Sequence, residues 1–464
     1  MGHLKKIGQH CALGVPHISG FNKLYWPLAV YICHVARALW KFPQQFNSTM
    51  DTVEFSLLLA FALASVAFGF VLNTPMEILE GTATILTSPS ALITDYMALA
   101  NPGATFVNAG VMFAIYVIYI RTQCNRFTGA LVASLFTVFG FSFFGKNFLN
   151  SIPITFGVYL CARIAKRPPA EFLGPGLLGT ALAPAVSVVI FGKGLPIWIG
   201  LPLGFLVGII IGLLVPPMST TFLKLHRGLN LYNVGFTAGM LGMIVLGIYE
   251  MFGDHTAAVE TVPIPSPTIV TVFIYALCAT FFIFGVICNE GFGGMWNFTR
   301  NSGKNPSDFF ALEGVPRTSI NMAVMGVLTT TLALVTYGNL TGPVLGAIFT
   351  VIGFSAFGNH FMNSVPIIIG VFLSALVMGM PLTAPAVIIS ALFGTTLAPI
   401  AGVFGFGYGI VAGFIHLAIV ANVGNLHGGL NLYNNGFSAG LLAIALIPAF
   451  RAFNHLIKKP IHDL

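Results

Sequence analysis

Charged residues are scarce in this sequence of 464 residues, because 20 Lys and Arg and 13 Asp and Glu make up only 7% of it. An ordinary soluble domain carries roughly 25% charged residues, which keep its surface hydrated. The deficit excludes a soluble enzyme, a nucleic-acid-binding protein and a disordered chain. Hydrophobic residues make up 56% of the sequence, and the mean hydropathy is +0.90. They form long continuous runs and do not alternate as in a membrane β-barrel, so we predict an all-α polytopic membrane protein.

Cysteines and enzyme motifs are also few. The six cysteines are scattered and form no Cys-x-x-Cys pair, which indicates small packing residues and not a disulfide or metal framework. The sequence has no His-Glu-x-x-His, no phosphate-binding glycine loop and no Gly-x-Ser-x-Gly. We therefore expect no enzyme activity, no ATP hydrolysis, no metal and no cofactor.

The first 51 residues are basic, and no signal-peptide cleavage site follows an apolar run. The stretch 25–40 is apolar but interrupted by Pro27, His34 and Arg37, which predicts an interfacial amphipathic helix on the cytoplasmic face. A short additional span is the alternative. The predicted organisation is a basic cytoplasmic segment (1–51), a membrane repeat (52–251), an extracytoplasmic linker (252–267), a second membrane repeat (268–450) and a cytoplasmic tail (451–464).

Each half of the chain contains seven apolar segments. The first-half segments are 55–73, 104–120, 127–145, 151–164, 173–192, 196–216 and 235–251. The second-half segments are 268–288, 319–337, 343–357, 364–379, 384–402, 405–424 and 436–450.

The two halves are an internal duplication, because four sequence blocks recur in the same order. The blocks include Phe-Ser-x-Phe-Gly followed by Asn-Ser-x-Pro, Gly-Thr-x-Leu-Ala-Pro, and Leu-Asn-Leu-Tyr-Asn-x-Gly-Phe-x-Ala-Gly. Shared apolar composition alone does not produce such ordered matches. The matched blocks begin at Phe139 and Ile352, Asp95 and Asp308, Gly179 and Gly394, and His226 and His427, and Asn108 matches Asn321.

The charges of matched loops predict that the repeats are inverted. Loop 74–103 has three acidic residues and no Lys or Arg, whereas the matched loop 289–318 contains Arg300, Lys304 and Arg317. Basic residues mark cytoplasmic loops, so these loops lie on opposite sides of the membrane. An odd number of crossings per repeat gives this result, whether seven or, if one helical pair is re-entrant, five. Both termini are then cytoplasmic, and inverted repeats indicate a transporter or channel with its site between them.

The first candidate binding cluster surrounds the paired Asn-Ser-x-Pro motifs. The apolar segments that follow are only about 21 Å long, which is short of a ~30 Å membrane core. Half-helices that begin inside the membrane would direct their N-terminal N–H groups into a cavity. An ordinary polar loop at the membrane surface is the alternative. The candidate residues are Lys146, Asn147, Asn150 and Ser151 in the first repeat and Asn359, His360, Asn363 and Ser364 in the second.

We expect Lys146 and His360 to set the charge preference of this cluster. If Lys146 is buried, its positive potential favours an anion or a carboxylate-bearing solute. If the cluster is a surface loop, Lys146 is only a solvated or snorkelling lysine.

Two further clusters carry uncharged hydrogen-bonding groups, which suit a polar solute. For the asparagines of the Leu-Asn-Leu-Tyr-Asn cluster, the alternative is structural capping alone. The Gly-Thr-x-Leu-Ala-Pro motifs predict either a packed helix kink or a break that frees backbone carbonyls. His226, His360, His416 and His427 suggest either a proton relay or hydrogen-bonded structural histidines. The additional candidate residues are Asn230, Tyr232, Asn233, Asn431, Tyr433, Asn434, Thr180 and Thr395.

The paired Leu-Asn-Leu-Tyr-Asn and Asn-Ser-x-Pro motifs resemble an uncharacterised family of prokaryotic multi-span membrane proteins, over about residues 55–450. The resemblance implies the cytoplasmic membrane of a prokaryote and no particular substrate. A weaker similarity links the chain to urea transporters, which also contain inverted repeats. Their Leu-Pro-x-x-Thr-x-Pro-Phe signature is echoed only by Met380-Pro381-Leu382-Thr383-Ala384-Pro385, so urea specificity is not transferred.

We expect a membrane transporter or channel for a small polar solute or anion, with its site near the bilayer midplane. Na⁺ or H⁺ is the candidate coupling ion, the lipid bilayer is the environment, and the sequence leaves a homo-oligomer open. An intramembrane enzyme and a non-transporting assembly or receptor protein are the alternatives. A polar pocket at the midplane would favour transport, whereas a fully packed midplane would favour the alternatives.

Overall fold

The structure, a computed structural model, describes residues 49–92, 94–252 and 261–456. The predicted interfacial helix at 25–40 lies outside these ranges, as do half of the predicted linker 252–267 and the end of the tail 451–464.

Fifteen principal helices make up the described part of the chain. The first repeat contains α1 (Thr49–Leu72), α2 (Pro75–Thr87), α3 (Pro102–Gln123), α4 (Gly129–Phe141), α5 (Phe148–Ile164), α6 (Pro169–Gly192), α7 (Ile197–His226) and α8 (Asn233–Met251). The second contains α9 (Thr268–Cys288), α10 (Val315–Thr336), α11 (Gly342–Phe354), α12 (Phe361–Val377), α13 (Pro385–Phe404), α14 (Phe406–Val423) and α15 (Asn434–Leu456). Short helical turns at Tyr96–Leu99, Met295–Phe298, Phe309–Glu313 and Gly424–His427 complete the list.

Each of the fourteen predicted apolar segments is helical, and the prediction of an all-α polytopic fold is confirmed. Within the described residues, ten helical segments are long and apolar enough to cross a membrane, five in each repeat. Four apolar helices are shorter, namely the matched pairs α4–α5 and α11–α12. The protein is therefore an integral membrane protein. The number of long helices in each repeat equals the five crossings expected if one helical pair is re-entrant.

Helix α2 lies where the sequence analysis places only a loop, at 74–103. It begins with a capping box, in which the Glu77 carboxylate accepts the Thr74 N–H at 2.8 Å and the Thr74 hydroxyl accepts the Glu77 N–H at 3.4 Å. These reciprocal bonds satisfy backbone groups that a helix start leaves free. The start signal Thr-Pro-x-Glu is present in the sequence, but the segment behind it is too short and polar to register as a span.

Helices α6 and α13 are broken at their centres. Both contain a 3-10 turn at the Gly-Thr-x-Leu-Ala-Pro motif, over Thr180–Leu182 and Thr395–Leu397. Pro184 and Pro399 follow the turns and lack the N–H that a continuous α-helix would use. The break is buried, since Thr180 and Thr395 are both fully inaccessible to solvent.

The two repeats are inverted relative to each other. The matched helices α4 and α11 pack side by side, with Gly140 against Gly346 and Gly353 against Ala133. The contacts move backwards along α4 as they move forwards along α11, so these equivalent helices are antiparallel. A Cβ atom on Gly140 would lie 2.6 Å from the carbonyl oxygen of Gly346, so only glycine allows this approach.

Glycine stripes also bring α5 against α7 and α12 against α14. A Cβ atom on Gly157 of α5 would lie 2.2 Å from the carbonyl oxygen of Ile209, and one on Gly370 of α12 would lie 2.1 Å from that of Ile410. Such close backbone packing is typical of membrane helices with small residues at the interface. The short helices are thereby fixed on long ones.

Candidate functional site

The matched short helices form two hairpins. Helix α4 follows α3 after a short loop and ends beside Asn108, so it runs antiparallel to α3. Helix α5 returns alongside α3, where the Tyr116 hydroxyl lies 2.7 Å from the Thr155 hydroxyl. We call residues 142–147 the first tip and the equivalent residues 355–360 the second tip.

An asparagine on the neighbouring long helix holds each tip. The Asn108 side chain donates hydrogen bonds to the carbonyl oxygens of Ser142 (2.8 Å) and Lys146 (3.0 Å). Asn321 does the same in the second repeat, with 2.8 Å to the carbonyls of both Ser355 and Asn359. In the sequence, this pair serves only to align the two repeats. A polar residue that recurs on an apolar helix in both halves was the available signal for its role.

Helix α5 begins earlier than the predicted apolar segment 151–164. It begins at Phe148, and Pro153 of the Asn-Ser-x-Pro motif lies inside it. Asn147 is the N-cap, because its side chain accepts the Asn150 N–H at 3.1 Å while the Asn150 side chain accepts the Asn147 N–H at 2.9 Å. This reciprocal pair moves the start of the helix three residues ahead of the motif serine.

The predicted asparagines and serines of the motif mainly hold the tips together. Asn150 donates to the Gly145 carbonyl at 3.2 Å and to the Ser187 hydroxyl at 2.7 Å. Asn363 donates to the Gly358 carbonyl at 2.9 Å. Ser151 and Ser364 each donate to the side-chain oxygen of the preceding asparagine at 3.2 Å.

The tips contact the broken helices, which brings two predicted clusters together. The buried Lys146 amino group donates to the Thr180 hydroxyl and lies 5.4 Å from the centre of the Tyr116 ring. In the second repeat Asn359 donates to the Thr395 hydroxyl at 3.1 Å. The same tip-to-break contact therefore forms in both halves, with a lysine in one and an asparagine in the other.

The Leu-Asn-Leu-Tyr segments are exchanged between the repeats. The Leu231 N–H donates to the Thr396 carbonyl, and the Leu432 N–H donates to the Ala181 carbonyl, both at 3.0 Å. Leu231 therefore binds the broken helix of the second repeat, and Leu432 binds that of the first. The Leu432 side chain also covers Gly145 at the first tip.

A tyrosine pair lies between the ends of α4 and α11, with Tyr433 against Phe141 and Tyr232 against Phe354. The Tyr232 and Tyr433 ring centres are 4.9 Å apart, and both residues are buried. Asn230 and Asn431 shape the turns before them, because their side-chain oxygens accept the Tyr232 N–H at 3.0 Å and the Tyr433 N–H at 2.9 Å. The Tyr433 hydroxyl donates to the Thr137 hydroxyl at 3.2 Å.

Asn233 and Asn434, which the sequence analysis groups with this cluster, bind histidines. The Asn233 side-chain oxygen lies 2.9 Å from His226 Nε2, and that of Asn434 lies 3.0 Å from His427 Nε2. The amide groups of both asparagines donate to carbonyls of the preceding long helices, those of Ser219 and Val420. These contacts join consecutive helices within one repeat and do not reach the tips.

Some buried polar atoms near the tips lack a hydrogen-bond partner in the described part of the protein. They include Tyr232 Oη, Asn359 Oδ1 and His360 Nδ1. His360 Nε2 lies 2.8 Å from the Asn301 carbonyl. An unpaired polar atom is costly in a buried environment, so such atoms in a native site are usually explained by a bound water or ion, by a catalytic role or by strain.

The sequence model of one family, described as "Protein of unknown function (DUF1576)", matches residues 74–251 and 287–452. The two matches fall on the two repeats. No curated protein and no solved structure matches the chain. Since the two matches together span well over half of the sequence, the chain belongs to this family of proteins of unknown function.

Proposed function

We propose that this protein is a membrane carrier for a small polar solute, and that the solute binds between the two hairpin tips. The observation that carries the proposal is the buried Tyr232–Tyr433 pair, which lies between Phe354 and Phe141 at the ends of α11 and α4, together with unpaired polar atoms at Tyr232 and Asn359. Inverted repeats with interrupted helices at their interface are a recurrent transporter architecture.

The hairpins are proposed to be re-entrant. Helix α4 has 13 residues, which gives about 20 Å and is short of a ~30 Å membrane core. Helix α5 turns back alongside α3, so the pair enters and leaves from one side. Five crossings per repeat then keep the odd number that inversion requires. Following the charge pattern, we place both termini in the cytoplasm and the protein in the cytoplasmic membrane of a prokaryote.

The closed centre favours a carrier over an open channel. Tyr232, Tyr433, Asn359 and Thr180 are at most 1% exposed, so no solute reaches them in this conformation. Binding requires that the repeats separate, as in alternating access. The exchanged Leu231 and Leu432 contacts are the ones that such a movement breaks. Na⁺ or H⁺ coupling remains part of the proposal, as does assembly into a homo-oligomer.

The packed centre also favours the alternative function, a non-transporting assembly or receptor protein built on a duplicated scaffold. In that case the tips only hold the repeats together. The two functions differ in the expected effect of removing one unpaired hydroxyl. A carrier should lose solute flux, whereas an assembly or receptor protein has no solute flux to lose.

Substitution Tyr232→Phe tests the proposal, because it removes Oη and leaves the ring packing intact. Purified wild type and variant are reconstituted into proteoliposomes and assayed with a panel of small neutral and anionic solutes. We expect wild-type flux of at least one solute and a severalfold loss of that flux in Tyr232→Phe. Tyr275→Phe is the matched control, since its hydroxyl pairs with Thr331 on the outer helix pair α9–α10.

Wild-type protein that moves no solute in the panel would contradict transport of this solute class. Equal flux in Tyr232→Phe and Tyr275→Phe would remove the tyrosine pair from the solute path. Thermal unfolding of all variants in detergent confirms that a loss of flux does not come from a loss of fold.

A further inference from the structure

We propose that the first hairpin tip binds a small monovalent anion on the Lys146 ammonium. The inference names the class of solute and assigns its site to one repeat. The role of this anion in transport rests on the proposed function. Anion binding is measured without transport, so the anion site and the carrier function can fail separately.

The surroundings of Lys146 leave its charge without a counterion. The side chain is 1% exposed, and within the described residues it forms no ion pair. Its hydrogen-bond acceptor is the Thr180 hydroxyl, which itself donates to the Leu177 carbonyl. An ammonium group has three N–H donors, so further acceptors are needed. Burying an ionised group without a partner is strongly unfavourable, and an anion would supply both the charge and the acceptors.

The neighbouring aromatic and hydroxyl groups suit an ion pair. The Tyr116 ring centre lies 5.4 Å from Lys146 Nζ, within the range of a favourable cation–π contact. The Thr155 hydroxyl donates to the Ser151 carbonyl at 3.2 Å, so the Tyr116 hydroxyl is the donor in its 2.7 Å contact with Thr155. A bound anion would therefore have to draw the Tyr116 hydroxyl hydrogen away from Thr155.

Comparison of the two repeats shows that these groups occur together only in the first. The equivalent positions in the second repeat have no cation and fewer hydroxyl groups. Gly402 also packs against the Ser302 carbonyl, and a Cβ atom there would lie 2.0 Å from that oxygen. The replaced pairs are Lys146 by Asn359, Tyr116 by Thr329, Thr155 by Ile368 and Ser187 by Gly402.

The size and charge of the ligand follow from the same contacts. A single buried cation balances one negative charge, so a divalent anion would leave an uncompensated charge in a buried site. The tip is closely packed, with Leu432 against Gly145, so the anion must be small. Chloride, nitrate and acetate meet both conditions.

The test measures the thermal unfolding midpoint of the full-length protein in detergent, with chloride, nitrate or acetate titrated against sulfate at constant ionic strength. A saturable rise of the midpoint with a monovalent anion is the expected result. Lys146→Asn should abolish this rise, because it copies the Asn359–Thr395 pair and keeps a hydrogen bond to Thr180. Lys146→Gln is the second variant if the first fails to fold. Lys224→Asn, which removes an exposed lysine, should keep the rise.

The inference is overturned if the wild type shows no saturable anion effect, as it would if the amine were uncharged, or if Lys146→Asn retains the effect. Flux assays on the same variants separate this result from the proposed function. Flux of a neutral solute without any anion effect overturns the inference and leaves the carrier intact. A Lys146-dependent anion effect without flux of any solute supports the site and contradicts the carrier.

Discussion

The Asp95 carboxylate accepts the backbone N–H of Gly342 at 3.0 Å, so a side chain of the first repeat caps a helix of the second. Asp308 returns the contact, because both of its carboxylate oxygens lie 3.1 Å from the N–H of Gly129. A carboxylate at a helix start satisfies a free N–H and interacts favourably with the helix dipole. The two helices that pack antiparallel at the centre, α4 and α11, are thus each started by the opposite repeat.

Substitution Asp95→Ala should lower the free energy of unfolding by about 0.5–2 kcal/mol, the range for a lost N-cap. The Thr341 side chain gives α11 no cap of its own, so nothing replaces Asp95. Thermal unfolding in detergent measures the effect. Asp308→Ala is the comparison at the equivalent position, where Thr128 still caps α4 through the Leu131 N–H. A wild-type midpoint in Asp95→Ala would show that the cap is dispensable.

The Asp95 contact should also depend on pH. Burial raises the pKa of the Asp95 carboxyl above its ordinary value of 3.8, and the N–H groups of Gly342, Met97 and Ala98 oppose that rise. The folded protein therefore binds this proton more tightly than the unfolded chain does. The resulting stability is fully present below pH 3.8 and is lost as the pH rises through the raised pKa.

Wild-type stability relative to Asp95→Asn should consequently fall as the pH is raised from below 3.8 towards neutrality. Unfolding midpoints of both proteins across this range provide the measurement. A difference that grows in favour of the wild type with rising pH would contradict the assigned direction.

Substitution Gly140→Ala should destabilise the interface between the repeats, because its Cβ would lie 2.6 Å from the Gly346 carbonyl oxygen. Overpacking of this kind typically costs about 1–3 kcal/mol. Gly247→Ala is the matched control, since no atom lies within 4 Å of its added Cβ. The control should be neutral or slightly stabilising, because alanine favours helix. Similar unfolding midpoints for the two variants would place the close contact in doubt.

The contact between the Leu-Asn-Leu-Tyr segment of the first repeat and the broken helix of the second can be tested by giving Thr396 the residue found at the equivalent position of the first repeat. The Thr396 hydroxyl donates to the Asn230 side-chain oxygen at 2.6 Å and accepts the Tyr232 N–H at 2.9 Å, whereas the equivalent first-repeat residue is Ala181. Thr396→Ala should lower stability by about 1 kcal/mol, the usual net value of a buried hydrogen bond. Thr395→Ser, which keeps the neighbouring hydroxyl, is the control. A larger loss in the control than in Thr396→Ala would argue against this bond.

The orientation of the repeats can be read by cysteine labelling in intact membranes. Glu77 precedes α3 and Arg300 precedes α10, and these equivalent helices run in opposite directions. A membrane-impermeant thiol reagent should therefore label Glu77→Cys from one side and Arg300→Cys only from the other. A variant lacking the native cysteines is the parent for both. Labelling of both positions from the same side would contradict the inversion.

The sequence predicts the helices well, because apolar runs in a membrane protein have few alternatives to helix. It predicts the inversion as well, since Arg300, Lys304 and Arg317 occur in one matched loop and not in the other. Helix α2 was missed because its Thr74–Glu77 box starts a segment without the length of a span. A capping box in the sequence does not by itself show that a helix follows, because the contacts that stabilise such a short helix are not visible in the sequence.

The site could be predicted only in part. The sequence identifies Lys146 and Thr180 as separate candidates, but their contact depends on how α6 packs against the first tip. Asn233 and Asn434 look equivalent to Asn230 and Asn431 in the motif, yet they bind histidines within their own repeats. Side-chain direction in an irregular turn depends on neighbours that are distant in the chain, and one sequence does not reveal them.

The exchange of Leu231 and Leu432 has a consequence for any isolated half of the molecule. Each half carries an acceptor carbonyl whose donor resides in the other half, at Ala181 and at Thr396. A single half produced by itself would have both an unpaired donor segment and an unpaired acceptor carbonyl. Only a second copy in the opposite membrane orientation could pair with both, so a lone half should form an antiparallel two-fold dimer or fail to fold.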